Sequence, residues 1–176
     1  MKKLSVILSL LLILSFTQVN AQSGNFSAGL VTTHFSNGNS DQQFANYNNP
    51  LGAGLLLGYQ VRPDMALSLT AEYLNGDMKN SEGSENNFRT NLSAFFFPVQ
   101  NNSVNPYVSA GVVMNFKNQN FDDRSDRNIT QLQSRFGAGL DVPIISNLSL
   151  NLDFAAYITE IRYTGWAQSF GLRYTL

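Results

Sequence analysis

The chain has 176 residues, 11 Lys and Arg against 12 Asp and Glu, a formal net charge of −1 and a charged fraction of 13%. That fraction is about half of what a soluble domain carries, and the near-neutral balance argues against a nucleic-acid surface. With no cysteine and a single histidine, His34, the chain has no disulfide framework, thiolate metal site, cysteine nucleophile or two-histidine site.

Lys2 and Lys3 precede an apolar run, Leu4–Phe16, and Val19-Asn20-Ala21 supplies small residues at the spacing of a processing site. This pattern predicts a secretory signal peptide over residues 1–21 and a mature start at Gln22. The apolar run is shorter than the ~20 residues that a spanning helix needs. The mature chain, 22–176, is expected to form one domain outside the cytoplasm, where ATP-dependent chemistry is not expected.

Strict alternation then runs through the chain. Asn25–His34 sets Phe26, Ala28, Leu30 and Thr32 on one face, and a polar stretch, Ser36–Pro50, reads as a loop. Leu51–Val61 carries Leu51, Ala53, Leu55, Leu57, Tyr59 and Val61 against Gly52, Gly54, Leu56, Gly58 and Gln60. Arg62-Pro63-Asp64 is a tight turn into Met65–Leu74. Asn75–Asn87 reads as a second polar loop, and Phe88–Phe97 as the fourth strand. Pro98–Asn105 connects it to Pro106–Phe116, and Lys117–Thr130 reads as a third loop. Gln131–Val142 and Leu148–Tyr157 form a hairpin broken at Pro143–Asn147. Ile158–Tyr163 reads as the last loop before Thr164–Leu176.

Each of these segments has one uncharged face and one polar, glycine-bearing face, over about ten residues, as a membrane-spanning β-strand requires. Eight such strands predict an antiparallel up-and-down transmembrane β-barrel, with mostly long connections at one end and shorter, proline-bearing ones at the other. Long loops outside and short turns inside would leave both termini in the periplasm. Six charged residues fall within the strands: Glu72, Arg89, Arg135, Asp141, Asp153 and Arg173. All six share the glycine-bearing parity. An arginine on the lipid face at mid-depth costs about 2–4 kcal/mol, so these residues are expected inside, as a charge-compensated network. Outward aromatics sort into two girdles, Phe26, Tyr59, Phe96 and Tyr174 at one edge and Tyr73, Phe88, Phe116 and Trp166 at the other. The inward glycines leave room for Phe95, Phe97, Tyr107 and Tyr157. A soluble sandwich would share the alternation, but its polar face would carry more Lys and Glu than Gly, Ser and Ala.

The Gly-Ala-Gly strands (Gly52–Gly54, Gly137–Gly139), Pro106-Tyr107 opening a strand, and the closing Phe170-Gly171-Leu172-Arg173-Tyr174 resemble the small OmpA/OmpX-type bacterial outer-membrane barrels over the whole mature chain. The resemblance implies an integral outer-membrane protein, touching the membrane's lipids and inserted by machinery that reads the last strand. That strand usually ends in an aromatic residue, whereas this one ends in Leu176. No peptidoglycan-binding domain is expected after the last strand. The fold leaves the role open.

Thr33-His34-Phe35-Ser36-Asn37-Gly38 is the one catalytic-looking stretch, with His34 and Ser36 on one face. It resembles the His-x-Ser of outer-membrane lipid A deacylases, which would imply histidine activating serine against an acyl ester. Asn49-Pro50 could complete that motif. The family places its motif late in the barrel, and here the orienting carboxylate has only Asp41 as a loop candidate. The alternative is a strand end running into a Ser-Asn-Gly turn. Asp122, Asp123 and Asp126 lack the glycine of a calcium loop and are interleaved with Arg124 and Arg127, which favours a solvated loop. The expected protein is therefore a structural or surface-interaction barrel, without cofactor, metal, catalysis or nucleic-acid partner, monomeric, and too narrow for an open pore.

Overall fold

The computed structural model describes residues 25–37, 51–77, 83–99, 103–121, 125–160 and 162–176. The residues of the predicted signal peptide, Asp41, Asn49, Pro50, Asp122 and Asp123 lie outside them. The eight strands are β1 (Phe26–Asn37), β2 (Leu51–Arg62), β3 (Met65–Asp77), β4 (Gly83–Phe96), β5 (Asn105–Phe121), β6 (Arg127–Ile145), β7 (Leu148–Thr159) and β8 (Arg162–Thr175). Each pairs antiparallel with its neighbour in sequence, and β8 returns to β1, closing the barrel. Closure rules out the sandwich: a sheet joined to itself has no edge and needs no second sheet.

The register fixes the geometry. Stepping through the cross-strand partners from Phe26 leads to Tyr59, Leu67, Ala94, Ala110, Phe136, Ala156, Trp166 and back to β1 at Ser36. The return point is ten residues further along β1 than the start. With standard strand spacings, a stagger of ten over eight strands tilts the strands by about 41° from the barrel axis. A hydrogen-bonded row therefore climbs the wall by about 3 Å per strand.

The two parities part as the sequence predicts. Leu30, Leu55 and Leu132 are each more than 60% exposed on the outside, while Val31, Val113 and Ala167 are at most 6% exposed inside. The six charged residues of the predicted strands, Glu72, Arg89, Arg135, Asp141, Asp153 and Arg173, all lie on the inward parity. Aromatics form a row at each edge of the outer band: Phe26 stacks on Tyr59 at 4.8 Å, and Tyr73, Phe88 and Phe116 are successive cross-strand partners. At the calculated tilt, the eight residue steps from Phe88 to Phe96 on β4 set the two rows about 20 Å apart, somewhat less than the ~25 Å of an outer-membrane apolar band.

Four sequence expectations need correction. The stretch Asn75–Asn87 is mostly strand, since β3 runs on to Asp77 and β4 begins at Gly83. Likewise β5 continues to Phe121 and β6 starts at Arg127, so Lys117–Thr130 is largely paired. Beyond the aromatic row both faces are polar, and the alternation carries no hydrophobic signal. Pro143 does not end β6, which passes through a bulge between Pro143 and Ile145; a bulge tolerates the missing N–H. Finally, β7 runs to Thr159 and β8 begins at Arg162, with Glu160 at a φ of 49°, so the last connection is short.

One close fit sets the interior at the lower end. Tyr107 on β5 lies directly across from Gly139 on β6, and a Cβ at Gly139 would sit 2.5 Å from the Tyr107 ring and 2.1 Å from the Leu152 carbonyl oxygen. The tyrosine ring occupies the space that a side chain would take. Gly139→Ala is expected to destabilise the barrel by about 1–3 kcal/mol, because a backbone oxygen cannot give way. Leu55→Arg is expected to cost about 2–4 kcal/mol in lipid and little in the detergent-free unfolded state. Equilibrium urea unfolding in lipid vesicles measures both.

Candidate functional site

The barrel interior is built from inward side chains in layers. Glu72 on β3 and Arg89 on β4 are cross-strand partners, so their side chains meet without bending the backbone. Arg89 Nε donates to Glu72 Oε2 at 2.9 Å, and the pair forms a salt bridge through Nη2. Arg135 on β6 forms a second buried bridge to Asp153 on β7 and donates to Ser109 Oγ at 2.8 Å. Tyr107 donates its hydroxyl proton to Asp153 Oδ1 at 3.0 Å. Tyr157 is the cross-strand partner of Arg135, and the Arg89 guanidinium lies 5.4 Å from its ring centroid. This ring links the two mid-barrel pairs.

Arg173 and Asp141 pair separately at 2.7 Å, towards the β2–β3 turn. The six predicted residues are thus brought together as three pairs. Two are joined through Tyr157 and one stands apart. A fourth pair, Glu85 and Lys117 at 3.9 Å, was not anticipated. Both residues lie beyond the outer aromatic row, in stretches that read as loops, yet Glu85 is 1% and Lys117 3% exposed. Parity was the available signal: Glu85 alternates with Arg89, and Lys117 with Asn115, on the inward side.

Apolar and amide layers fill the space between the pairs. Phe35, Val113, Ala155, Tyr157 and Ala167 pack together on the outer side, and Ala66, Phe97 and Tyr107 on the other, with Phe95 against them. Above the first cluster a chain of amides crosses the lumen. Asn87 donates to Asn115, Asn115 to Gln133 at 2.8 Å, and Gln133 to Thr159 and Thr164 at 3.2 Å each. A cavity of about 720 Å³ remains at the β2–β3 turn end, lined by Ser27, Ser68, Asn105, Asp141, Asn151 and Arg173 among others.

His34 and Ser36 both lie on the outward parity of β1. His34 is half-buried between its cross-strand partners Leu51 and Gln168, and Ser36 pairs with Trp166. Among the described residues, no hydrogen bond joins a carboxylate to His34, and no group of three or more acidic or histidine side chains is placed to hold a metal. Asp126 is exposed next to the start of β6.

A family model described as an outer membrane protein beta-barrel domain matches residues 7–175. No curated protein matches the chain. Solved structures share the fold at low identity. Neisserial surface protein A is 15% identical with a TM-score of 0.67, over 88% of this chain and 100% of that one. OprG of Pseudomonas aeruginosa is 16% identical with a TM-score of 0.65, over 88% and 97%. The N-terminal barrel domain of Pseudomonas aeruginosa OprF is 19% identical with a TM-score of 0.63, over 88% and 100%.

Removing one member of a mid-barrel pair leaves the other charge buried without its counter-ion. Arg135→Met is expected to cost about 3–5 kcal/mol, and Arg135→Met combined with Asp153→Leu to recover most of that loss. Urea unfolding of the single and double variants in lipid vesicles tests the cycle.

Proposed function

The chain belongs to the outer membrane protein β-barrel domain family, and on that footing we propose that it is a non-catalytic surface-interaction barrel that works through its outward-projecting end. It is an integral β-barrel of the bacterial outer membrane. The blocked lumen is the observation that carries the proposal. Salt bridges, aromatic clusters and an amide chain close the interior at successive depths beyond the 720 Å³ cavity at the β2–β3 turn end, so no passage crosses the barrel and its outward end is the surface left for partners.

In this reading the barrel end at which β1, β3, β5 and β7 finish, at Asn37, Asp77, Phe121 and Thr159, faces outward, and the end that holds Phe26 and Thr175 faces the periplasm. Support comes from β5 and β6, which extend beyond the outer aromatic row at that end, whereas the turns at Pro63-Asp64 and Ser146-Asn147 are tight. The closed sheet supports a monomer, since no strand edge is left to pair. Lipids contact the apolar band, and the last strand engages the insertion machinery after removal of residues 1–21.

His34 and Ser36 are strand-end residues beside the outer girdle in this proposal, and among the described residues no carboxylate is hydrogen-bonded to His34 to orient it. His34→Ala and Ser36→Ala are each expected to leave the acylation pattern of lipid A unchanged, as read by mass spectrometry of lipid from cells making either variant. Loss of an acyl chain in cells making the wild-type protein, restored by either substitution, would make the protein a lipid A deacylase instead.

A further inference from the structure

Over the four strands β3 to β6, one row of the outer wall consists of a single residue type; on β2 and β1 the same row continues as Leu51 and His34. Asn75 on β3, Asn86 on β4, Asn118 on β5 and Asn128 on β6 are successive cross-strand partners, all on the outward parity. Asn75, Asn118 and Asn128 are exposed and Asn86 is half-buried. The row directly beneath is Tyr73, Phe88, Phe116 and Thr130. Asparagine is disfavoured in strands, so four in one row run against local propensity. Tyr73 Oη and Asn75 Nδ2 both donate to Asn86 Oδ1 at 2.7 Å, which orients that amide and leaves its NH2 group pointing away from them. No Lys, Arg, Asp or Glu stands in either row.

We infer that this asparagine row, resting on the aromatic row below it, binds the saccharide headgroup of a glycolipid in the outer leaflet of the same membrane. The inference rests on the proposed orientation, with the long-strand end outward. The aromatic row marks the upper limit of the hydrocarbon. On each strand the asparagine stands about 5 Å above the residue of the row beneath, and the stagger of the barrel lifts both rows by about 3 Å per strand from β3 to β6. The asparagine row therefore lies in the headgroup layer, continuous with the lipid-facing band. Primary amides each offer two donors and an acceptor, and sugar hydroxyls need both kinds of partner. Tyr73, Phe88 and Phe116 offer flat apolar faces to the C–H side of a sugar ring. Recognition falls on the sugar hydroxyls and not on the phosphates that such a headgroup also carries, because a phosphate site would call for lysine or arginine and neither row has one.

The test uses the full chain folded in vesicles of phosphatidylethanolamine and phosphatidylglycerol containing lipopolysaccharide without O-antigen. The protein is extracted in mild detergent, and retained glycolipid and phospholipid are counted by native mass spectrometry. Wild type is expected to retain the glycolipid. Asn86→Ala combined with Asn118→Ala is expected to lower retention roughly tenfold, since several amide–hydroxyl bonds are lost, with phospholipid retention unchanged. Heat-modifiable gel migration establishes that the variant is folded, and Asn75→Ala with Asn128→Ala is the second pair should the first fail to fold. Equal glycolipid retention by a folded variant overturns the inference. A separate arm tests the orientation: the chain has no cysteine, so an Asp126→Cys variant can be labelled uniquely on intact cells with a membrane-impermeant maleimide. Labelling only after the outer membrane is disrupted overturns the orientation and this inference with it. Labelling of intact cells with unchanged retention overturns the inference alone.

Discussion

Hydrocarbon offers no partner to a backbone N–H or C=O and no solvation to a charge. Each unmade hydrogen bond there costs several kcal/mol, so a sheet can cross only if its edges join. Here the joint is β1 to β8, and it is long: partners run from Ser27 with Thr175 to Asn37 with Gly165. Closure with a stagger of ten also sets the tilt, and with it the radius. Eight strands at about 41° enclose a lumen that side chains can fill, and every inward residue must then be satisfied by another inward residue.

That demand explains why the interior charges come as near neighbours. Glu72 faces Arg89 across one ladder, and Arg135 reaches Asp153 across another. For Glu72 and Arg89, cross-strand placement costs little side-chain entropy, because the backbone already holds both stems close together, whereas Arg135 runs along its own strand past Gly137 to reach Asp153, the partner of Gly139. Burying such a pair is not a large source of stability by itself, since desolvation offsets most of the Coulombic gain. Its effect is on specificity: a strand slipped by one residue would put Arg89 or Arg135 into lipid and leave a carboxylate unpaired inside. Tyr157 and Tyr107 strengthen this selection. Tyr157 lies against the Arg89 guanidinium, and Tyr107 bonds Asp153 while covering Gly139.

The sequence is legible where the two faces of a strand meet different solvents. Between the aromatic rows, one face is apolar and the other is not. The inward placement of Arg173 and the outward placement of Leu132 can therefore be read from parity alone. Outside that band the contrast vanishes, and β4 and β5 look like loops from Gly83 to Asn87 and from Lys117 to Phe121. The inward burial of Glu85 and Lys117 depends on the strands continuing to pair, which hydropathy does not encode. Pro143 misleads for a related reason: a missing N–H ends a regular ladder but fits a bulge, and here the register shifts between Pro143 and Ile145, just before the turn at Ser146-Asn147. Pairing of Arg135 with Asp153 rather than another carboxylate depends on register, which parity leaves open.

Beyond the outer aromatic row the barrel is no longer held by exclusion from lipid, yet β3 to β6 stay paired. The interior of this extension shows what replaces the hydrocarbon. Gln119 donates to Glu85 at 2.6 Å, Glu85 faces Lys117, and the amide chain from Asn87 to Thr164 spans five strands. Such a network holds the strands in register through the members that are satisfied, and among the described residues the Asn87 side-chain oxygen is buried without a hydrogen-bond partner. The outer wall of the extension therefore presents side chains at strand spacing rather than on loops. Asparagines on neighbouring strands are held about 5 Å apart, comparable to the distance between hydroxyls across a sugar ring. A surface pre-organised in this way loses little entropy on binding, which suits it to weak contacts repeated along a headgroup.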